Sequence, residues 1–372
     1  MKLLIVSSAP LIYQNDTSYA YAPYVNELVI WEKYSDEIIF ACPVWETDRG
    51  LLISEIPFKF NKHFKLIDLN LNSVTNTFKA IFQSVYNFLI LFKAMKNADH
   101  IHFRCPGNIG LIGSFAQIFF PRKIKTTKYA GNWDLKSKQP WTYRLQKWIL
   151  SNTFLTHNMQ VLVYGDWKNQ SKNIKPFFTA TYSDAEKEII SKTNFEKTIE
   201  FIFVGSLVTG KNPMYAIQLI EKLVSKNYKV ILNLYGDGVE KDNLLCYIKE
   251  KGLENAAFLN GNQDKQTIKK AYQKSHFVLL PSKSEGWPKA IAEGMFWGCV
   301  PLATKVSCVP FMLDNGNRGV LLEMKLDQDL NTIIEVIQDE NLFLNKSRLA
   351  AEWSQKYTTD VFESEIKKLL VK

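Results

Sequence analysis

Residues Phe277–Thr304 constrain this chain more than any other stretch. They read FVLLPSKSEGWPKAIAEGMFWGCVPLAT, a pattern that predicts strand, loop, helix, strand. Val278, Leu279 and Leu280 form an apolar run stopped by Pro281, as expected of a buried parallel strand. Ser282 to Glu285 make a polar turn. Gly286 lets the backbone approach a ligand, and Pro288 suits a first helical position. Ala290, Ile291, Met295 and Phe296 predict a mostly apolar helix, which Gly298 ends before a second strand at Val300–Ala303.

Two charges interrupt this apolar stretch. Glu285 lies just ahead of the helix and Glu293 inside it, with seven residues between them. A helix rises about 1.5 Å per residue, which puts Glu293 about two turns below the loop. One carboxylate can then meet a sugar at the mouth of a cleft while the other meets a ribose behind it. The free N–H groups of the helix start lie between them and suit a diphosphate. A solvated loop charge and an exposed helix position are the plainer alternative. The flanking strands favour a site, because ligands of α/β sheets collect at the carboxyl ends of strands.

The run Glu285-Gly286-Trp287-Pro288, the second Glu293 and the following Gly298-Cys299-Val300-Pro301 resemble the signature of the family-4 retaining glycosyltransferases. A second block, Phe203-Val204-Gly205-Ser206-Leu207 with Lys211 and Asn212, is similar to that family in order and spacing. Together the blocks cover roughly the C-terminal half of the chain; the N-terminal half shares only the layout. The resemblance implies a GT-B fold: two doubly wound Rossmann-like α/β domains facing across a cleft, with the C-terminal helix crossing back to the first. The expected division is 1–180 with 357–372 for an acceptor-side domain, and 181–356 for a nucleotide-sugar-binding domain.

The charge of the chain is unevenly placed. Residues 1–178 hold 21 Lys and Arg against 12 Asp and Glu, and the remainder holds 25 of each, so the whole net charge of +9 sits in the first half. This asymmetry suggests an anionic partner there, a membrane surface or a phosphate-bearing acceptor. Nucleic acid is set aside, because no helix-turn-helix, zinc-finger or RNA-binding motif is present. The five cysteines have no close-paired spacing and read as free thiols in a reducing compartment. The uncharged apolar stretch Ala80–Phe92 is too short for a bilayer span of about 20 residues. The expected location is cytoplasmic, or peripheral on the inner face of the plasma membrane.

In the N-terminal half, strands are expected at Leu3–Val6, Ile38–Cys42, Leu66–Leu69 and 98–105, with Val161–Gly165 as the last. The alternating aromatic and basic run Phe58–Lys65 reads either as an interfacial anchor or as an edge strand protected by lysines. In the helix Phe78–Met95, Ile81, Val85, Phe88, Leu89 and Phe92 follow core spacing. Phe82, Ile90 and Leu91 are left for a membrane-facing stripe. His102 and Arg104 stand at a strand end and are acceptor-side candidates; a guanidinium there is a natural clamp for phosphate or carboxylate. Gly107, Gly110 and Gly113 then loosen the entry to the next helix.

The resemblance also implies roles. Glu285 holds hydroxyls of the transferred sugar and Glu293 the ribose. The backbone of Gly286, Trp287 and Pro288 lines the donor sugar, and the base lies near Asp237-Gly238 and Leu259–Asn262, including Gly261. Lys211 matches the family's phosphate-binding lysine, but Ser206 holds the place of its arginine and supplies no charge; Lys289 is the candidate replacement. Many relatives carry a histidine where this chain has Asn132 and Asp134 nearby. By the same resemblance the leaving group is stabilised without a metal, so no metal or other cofactor is expected. The implied reaction is retaining transfer of a hexose from a nucleotide-sugar to a lipid-linked or polysaccharide acceptor, in cell-surface polysaccharide biosynthesis. A GT-B sugar-nucleotide epimerase and a catalytically silent nucleotide-binding subunit are the alternatives.

Overall fold

The structure, a computed structural model, describes residues 1–15, 17–69, 74–190, 192 and 198–370, apart from the side chains of Val74, Thr75 and Thr77. The chain divides into two compact units, 1–177 with 363–372, and 178–362.

The first unit begins with β1 (Lys2–Ser7), β2 (Leu11–Gln14), β3 (Thr17–Tyr21), α1 (Ala22–Glu32) and β4 (Glu37–Trp45). It continues through β5 (Ile53–Glu55), β6 (Lys62–Leu66), α2 (Val74–Lys96), β7 (His100–Cys105) and α3 (Asn108–Ala116). Then come β8 (Ile124–Tyr129), α4 (Trp141–Ser151), β9 (Met159–Tyr164) and β10 (Ile174–Phe177). Its parallel sheet runs β10-β9-β8-β7-β1-β4-β6. The far end of β4 turns to β2, which starts a short ribbon with β3 and β5.

Three features differ from the expectations. The strand of the basic-aromatic run is β6 itself, beginning at Lys62 instead of Leu66; Phe64 and Leu66 point inward while Lys62 and Lys65 stay exposed along the sheet edge. This is the protected edge strand. A further strand, β10, follows the one expected to be last. Gly110 and Gly113 tighten a packing contact instead of loosening an entry. A Cβ at Gly113 would meet the Phe103 ring at 2.7 Å, and one at Gly110 would meet Cys105 Sγ at 2.9 Å.

Helix α2 also divides its apolar residues otherwise than expected. Leu91 is fully buried and Phe88 and Ile90 pack on the core, whereas Ile81, Val85 and Leu89 are exposed with Phe82.

The second unit contains β11 (Ile199–Val204), α5 (Pro213–Ser225), β12 (Val230–Tyr235), α6 (Lys241–Glu250) and β13 (Ala257–Leu259). It goes on with α7 (Lys265–Lys274), β14 (Phe277–Leu280), α8 (Lys289–Phe296), β15 (Val300–Thr304) and α9 (Val309–Met312). It ends with β16 (Val320–Leu322), α10 (Leu326–Gln338), α11 (Glu340–Ser354) and the start of α12 (Thr359–Leu370). All its pairings are parallel, in the order β13-β12-β11-β14-β15-β16. The sheet therefore grows outward from β11 in one direction, then restarts beside it with β14.

That reversal positions the site. Where strand order reverses, the loops leaving two adjacent strands diverge to opposite faces and open a crevice at their carboxyl ends. In the second unit these are the loops after β11 and β14. In the first unit the reversal falls between β1 and β7, whose last pairs join Val6 to Phe103 and Ser7 to Arg104.

Candidate functional site

The loop after β11 carries Gly205, Ser206 and Lys211; the loop after β14 carries Glu285, Gly286, Trp287 and Pro288. A backbone bond from Lys283 N to Gly210 O, 2.9 Å, ties the two loops together. Lys211 Nζ lies 2.6 Å from Glu285 Oε1 across the same junction. The Glu285 side chain is only 7% exposed and that of Lys211 31%, so the carboxylate is sheltered while the ammonium still reaches solvent. A cation thus stands beside the loop that leads into α8, whose first-turn amides have no helical acceptor of their own.

The glycine-rich turn after β12 supports this junction from behind. A Cβ on Gly236, whose φ is +139°, would lie 2.0 Å from Gly205 O, and one on Gly238 would lie 2.4 Å from Leu207 O. Only glycine lets these turns approach so closely. Gly261 closes the row, its carbonyl accepting from Gly236 N at 2.8 Å. Ser206 is exposed beside them. Asp237 spends its carboxylate locally: Oδ1 accepts from Gly238 N and Oδ2 faces Lys241 at 3.4 Å, and both hold its carboxyl below the usual range.

Glu293 has different surroundings from Glu285. Its carboxylate accepts from Thr181 Oγ1 at 2.7 Å and from Tyr272 OH at 3.3 Å, and burial pushes its carboxyl up, against the pull of Thr181 and the nearby Lys289 ammonium. Among the described residues the two glutamates share no hydrogen-bond partner, although Lys289, half-buried in the first turn of α8, lies close to the second. Gly286 offers its carbonyl to Ser307 Oγ and Cys308 Sγ, each at 3.1 Å. Trp287 packs its ring against Trp353 and Tyr357 at 6.0 and 5.7 Å, and Pro288 is the N-cap of α8.

In the first unit Arg104 stands at the carboxyl end of β7 with its guanidinium 4.4 Å from the Tyr24 ring centroid and 3.3 Å from Glu27 Oε2. The other oxygen of Glu27 meets Lys128 Nζ at 2.6 Å. Two cations and one carboxylate converge there at the strand reversal. The sequence reading missed Glu27 and Lys128, although a lysine between buried strand residues was a signal that charge had a partner.

His102 lies buried under α1 instead of opening at the strand end. It is 3% exposed, stacked 4.0 Å from Trp31 and bonded to Thr126 Oγ1 at 2.9 Å. His100, His102 and Arg104 share one strand face, and only the last reaches past α1. Asn132 and Asp134 spend their side-chain oxygens on their own turn: Asn132 Oδ1 accepts from Asp134 N at 2.9 Å, and Asp134 Oδ1 from Lys136 N at 2.8 Å.

The family model described as glycosyl transferases group 1 matches residues 184–356. An uncharacterized glycosyltransferase of Methanocaldococcus jannaschii is 28% identical over 194 residues, which cover 51% of this chain and 53% of that relative. The poly(ribitol-phosphate) alpha-N-acetylglucosaminyltransferase of Staphylococcus aureus is 28% identical over 162 residues, 43% of this chain and 31% of that one. The chain thus spans about half the length of the first curated relative and less of the second. Among solved structures, Anabaena HepE in complex with UDP superposes with a TM-score of 0.68 at 15% identity, covering 100% of this chain and 99% of that chain. At that identity the likeness is one of fold, and the fold is GT-B.

Proposed function

We propose, from the match of residues 184–356 to the glycosyl transferases group 1 family model, that this chain moves a sugar from a nucleotide-diphosphate sugar to a glycan or lipid-linked acceptor with retention of configuration. The observation that carries the reading is the Lys211–Glu285 pair at 2.6 Å, set where the second sheet reverses. Glu285 holds hydroxyls of the transferred sugar, since an ionised carboxylate accepts from two at once. Lys211 turns to the diphosphate, where charge grows as the bond to the sugar breaks. The first-turn amides of α8 face the same group.

Ser206 supplies a hydroxyl but no charge at this point, and Lys289 supplies the second cation. Glu293 takes a ribose hydroxyl alongside Thr181 and Tyr272. Gly205, Gly261 and the Asp237-Gly238 turn back the nucleotide. The acceptor oxygen attacks the anomeric carbon on the face that the diphosphate leaves. The electron pair of the broken bond stays on the phosphate oxygen, which takes the acceptor proton. No second carboxylate and no metal enter these steps. On the first unit Arg104 meets an anionic group of the acceptor, with Glu27 and Lys128 holding it in place.

The poly(ribitol-phosphate) acceptor named for the Staphylococcus aureus relative supports cell-surface polysaccharide synthesis as the setting, at the cytoplasmic face of the membrane. Incubation with a panel of nucleotide-sugars, with and without glycan acceptors, tests the reading through nucleoside-diphosphate release. Acceptor-dependent release that survives EDTA is the expected result. Release without acceptor indicates an epimerase or hydrolase, and none with any donor indicates a silent binding subunit.

A further inference from the structure

Helix α2 carries two apolar stripes where a helix lying on a sheet needs one. Ala80, Leu91, Ala94 and Met95 are buried against the core. On the opposite side Phe78, Ile81, Phe82, Val85 and Leu89 are between 56% and 78% exposed. At 3.6 residues per turn these five fall within about 100° of arc. Phe119 extends the stripe sideways: it is 63% exposed, with its ring 6.0 Å from that of Phe92. Single exposed apolar side chains are ordinary, but a contiguous row of aromatic and aliphatic ones marks a surface that meets something.

The charges around the stripe select the occupant. Lys79, Lys93 and Lys96 project from α2 itself and Arg122 follows Phe119, all exposed. Helix α2 contains no acidic residue. From residue 58 to 148 the sequence has 15 Lys and Arg, three Asp and no Glu. A second copy of this face would set lysines against lysines. A bilayer with anionic headgroups complements both parts, because apolar side chains enter the acyl boundary while lysine stems reach back to phosphate. The 23 residues of α2 make a rod of about 35 Å. No described helix is long and apolar enough to cross a membrane, so the rod lies in the plane of the surface.

We propose that the outer face of α2, with Phe119, docks on anionic phospholipid bilayers. This concerns a surface apart from the sugar-transfer residues and stands or falls without them. Flotation with vesicles of phosphatidylglycerol and phosphatidylcholine, against phosphatidylcholine alone, tests it on the full chain. The wild-type protein is expected to float with the anionic vesicles and to lose at least about tenfold in partitioning without them. The double variant F82E/L89E, at two exposed positions, is expected to remain at the bottom while keeping its circular dichroism and melting temperature. Wild-type protein that fails to float with either vesicle overturns the proposal. So does a folded F82E/L89E that floats as well as wild type, or a dimer that this variant abolishes in the absence of vesicle binding.

Discussion

Lys211 Nζ and Glu285 Oε1, 2.6 Å apart, join the loops that leave β11 and β14 at the point where strand order reverses. The partners differ in exposure, so their removal should differ in effect. Lys211→Ala takes away the cation facing the leaving group and is expected to lower kcat about 100- to 1000-fold, the range for losing one preorganised charge stabiliser. It also strands a sheltered carboxylate, so its melting temperature should fall. Glu285→Gln removes the charge to be compensated, and should lose turnover with less loss of stability than Lys211→Ala. Measuring kcat and thermal unfolding on both variants checks this; unchanged turnover in Lys211→Ala removes its phosphate role.

In the proposed reaction Lys289 makes up for the charge that Ser206 lacks. If Lys289 replaces the missing arginine charge, Lys289→Ala should lower turnover about 100-fold. Ser206 is exposed, so Ser206→Arg fits without repacking and should restore part of the loss in the Lys289→Ala background. The same change should do little in the wild-type chain. This double-mutant cycle isolates the coupling; additive losses mean that Lys289 is an ordinary surface lysine.

Glu293 sits in a buried setting that raises its carboxyl pKa. Glu293→Gln retains an acceptor for Thr181 and Tyr272 without the desolvated charge. It is expected to raise stability by about 1 kcal/mol, as relief of a functional burial commonly does, while the donor KM rises about tenfold from loss of a charge-assisted bond to ribose. Denaturant titration and donor-saturation kinetics measure the two effects. A stability gain with no change in KM would make Glu293 a purely structural anchor for Thr181.

The second unit was legible in the sequence because its signals are local. A strand that stops at Pro281, a turn, and a helix closed by Gly298 are each specified within a few residues. The loops carrying Lys211 and Glu285 were likewise readable from their motifs, although their 2.6 Å pairing depends on strand order, which no local signal encodes. The first unit hid more. Glu27, Arg104 and Lys128 lie far apart in sequence and meet only through the order β1-β7-β8 under α1. Helical spacing in α2 sorted its apolar residues wrongly, placing Phe88 with the exposed Ile81, Val85 and Leu89 and Phe82 with the buried Leu91. His102 and Arg104 share a strand face, and that α1 covers the first with Trp31 is set by helix placement, which strand pattern does not encode.

Three buried histidines set how the protein responds to acid. His276 Nδ1 accepts from Glu200 N at 3.0 Å, which requires that nitrogen to be unprotonated. His100 and His102 both bond to Thr126 Oγ1 at 2.9 Å. Burial lowers His100 and His276 to about 4 and holds His102 well below its ordinary value. The unfolded chain takes up these protons near pH 6.5, whereas the folded chain resists until about pH 4. Their contribution is therefore complete above pH 6.5 and lost as pH falls toward 4, at about 1.4 kcal/mol per pH unit for each group. Denaturant unfolding at pH 7, 6 and 5 should show this slope before most carboxylates titrate. His276→Asn keeps an acceptor for Glu200 N but cannot titrate, so the transition of the second unit should become less sensitive to acid across that window. An unchanged slope in the variant would place the acid sensitivity outside His276.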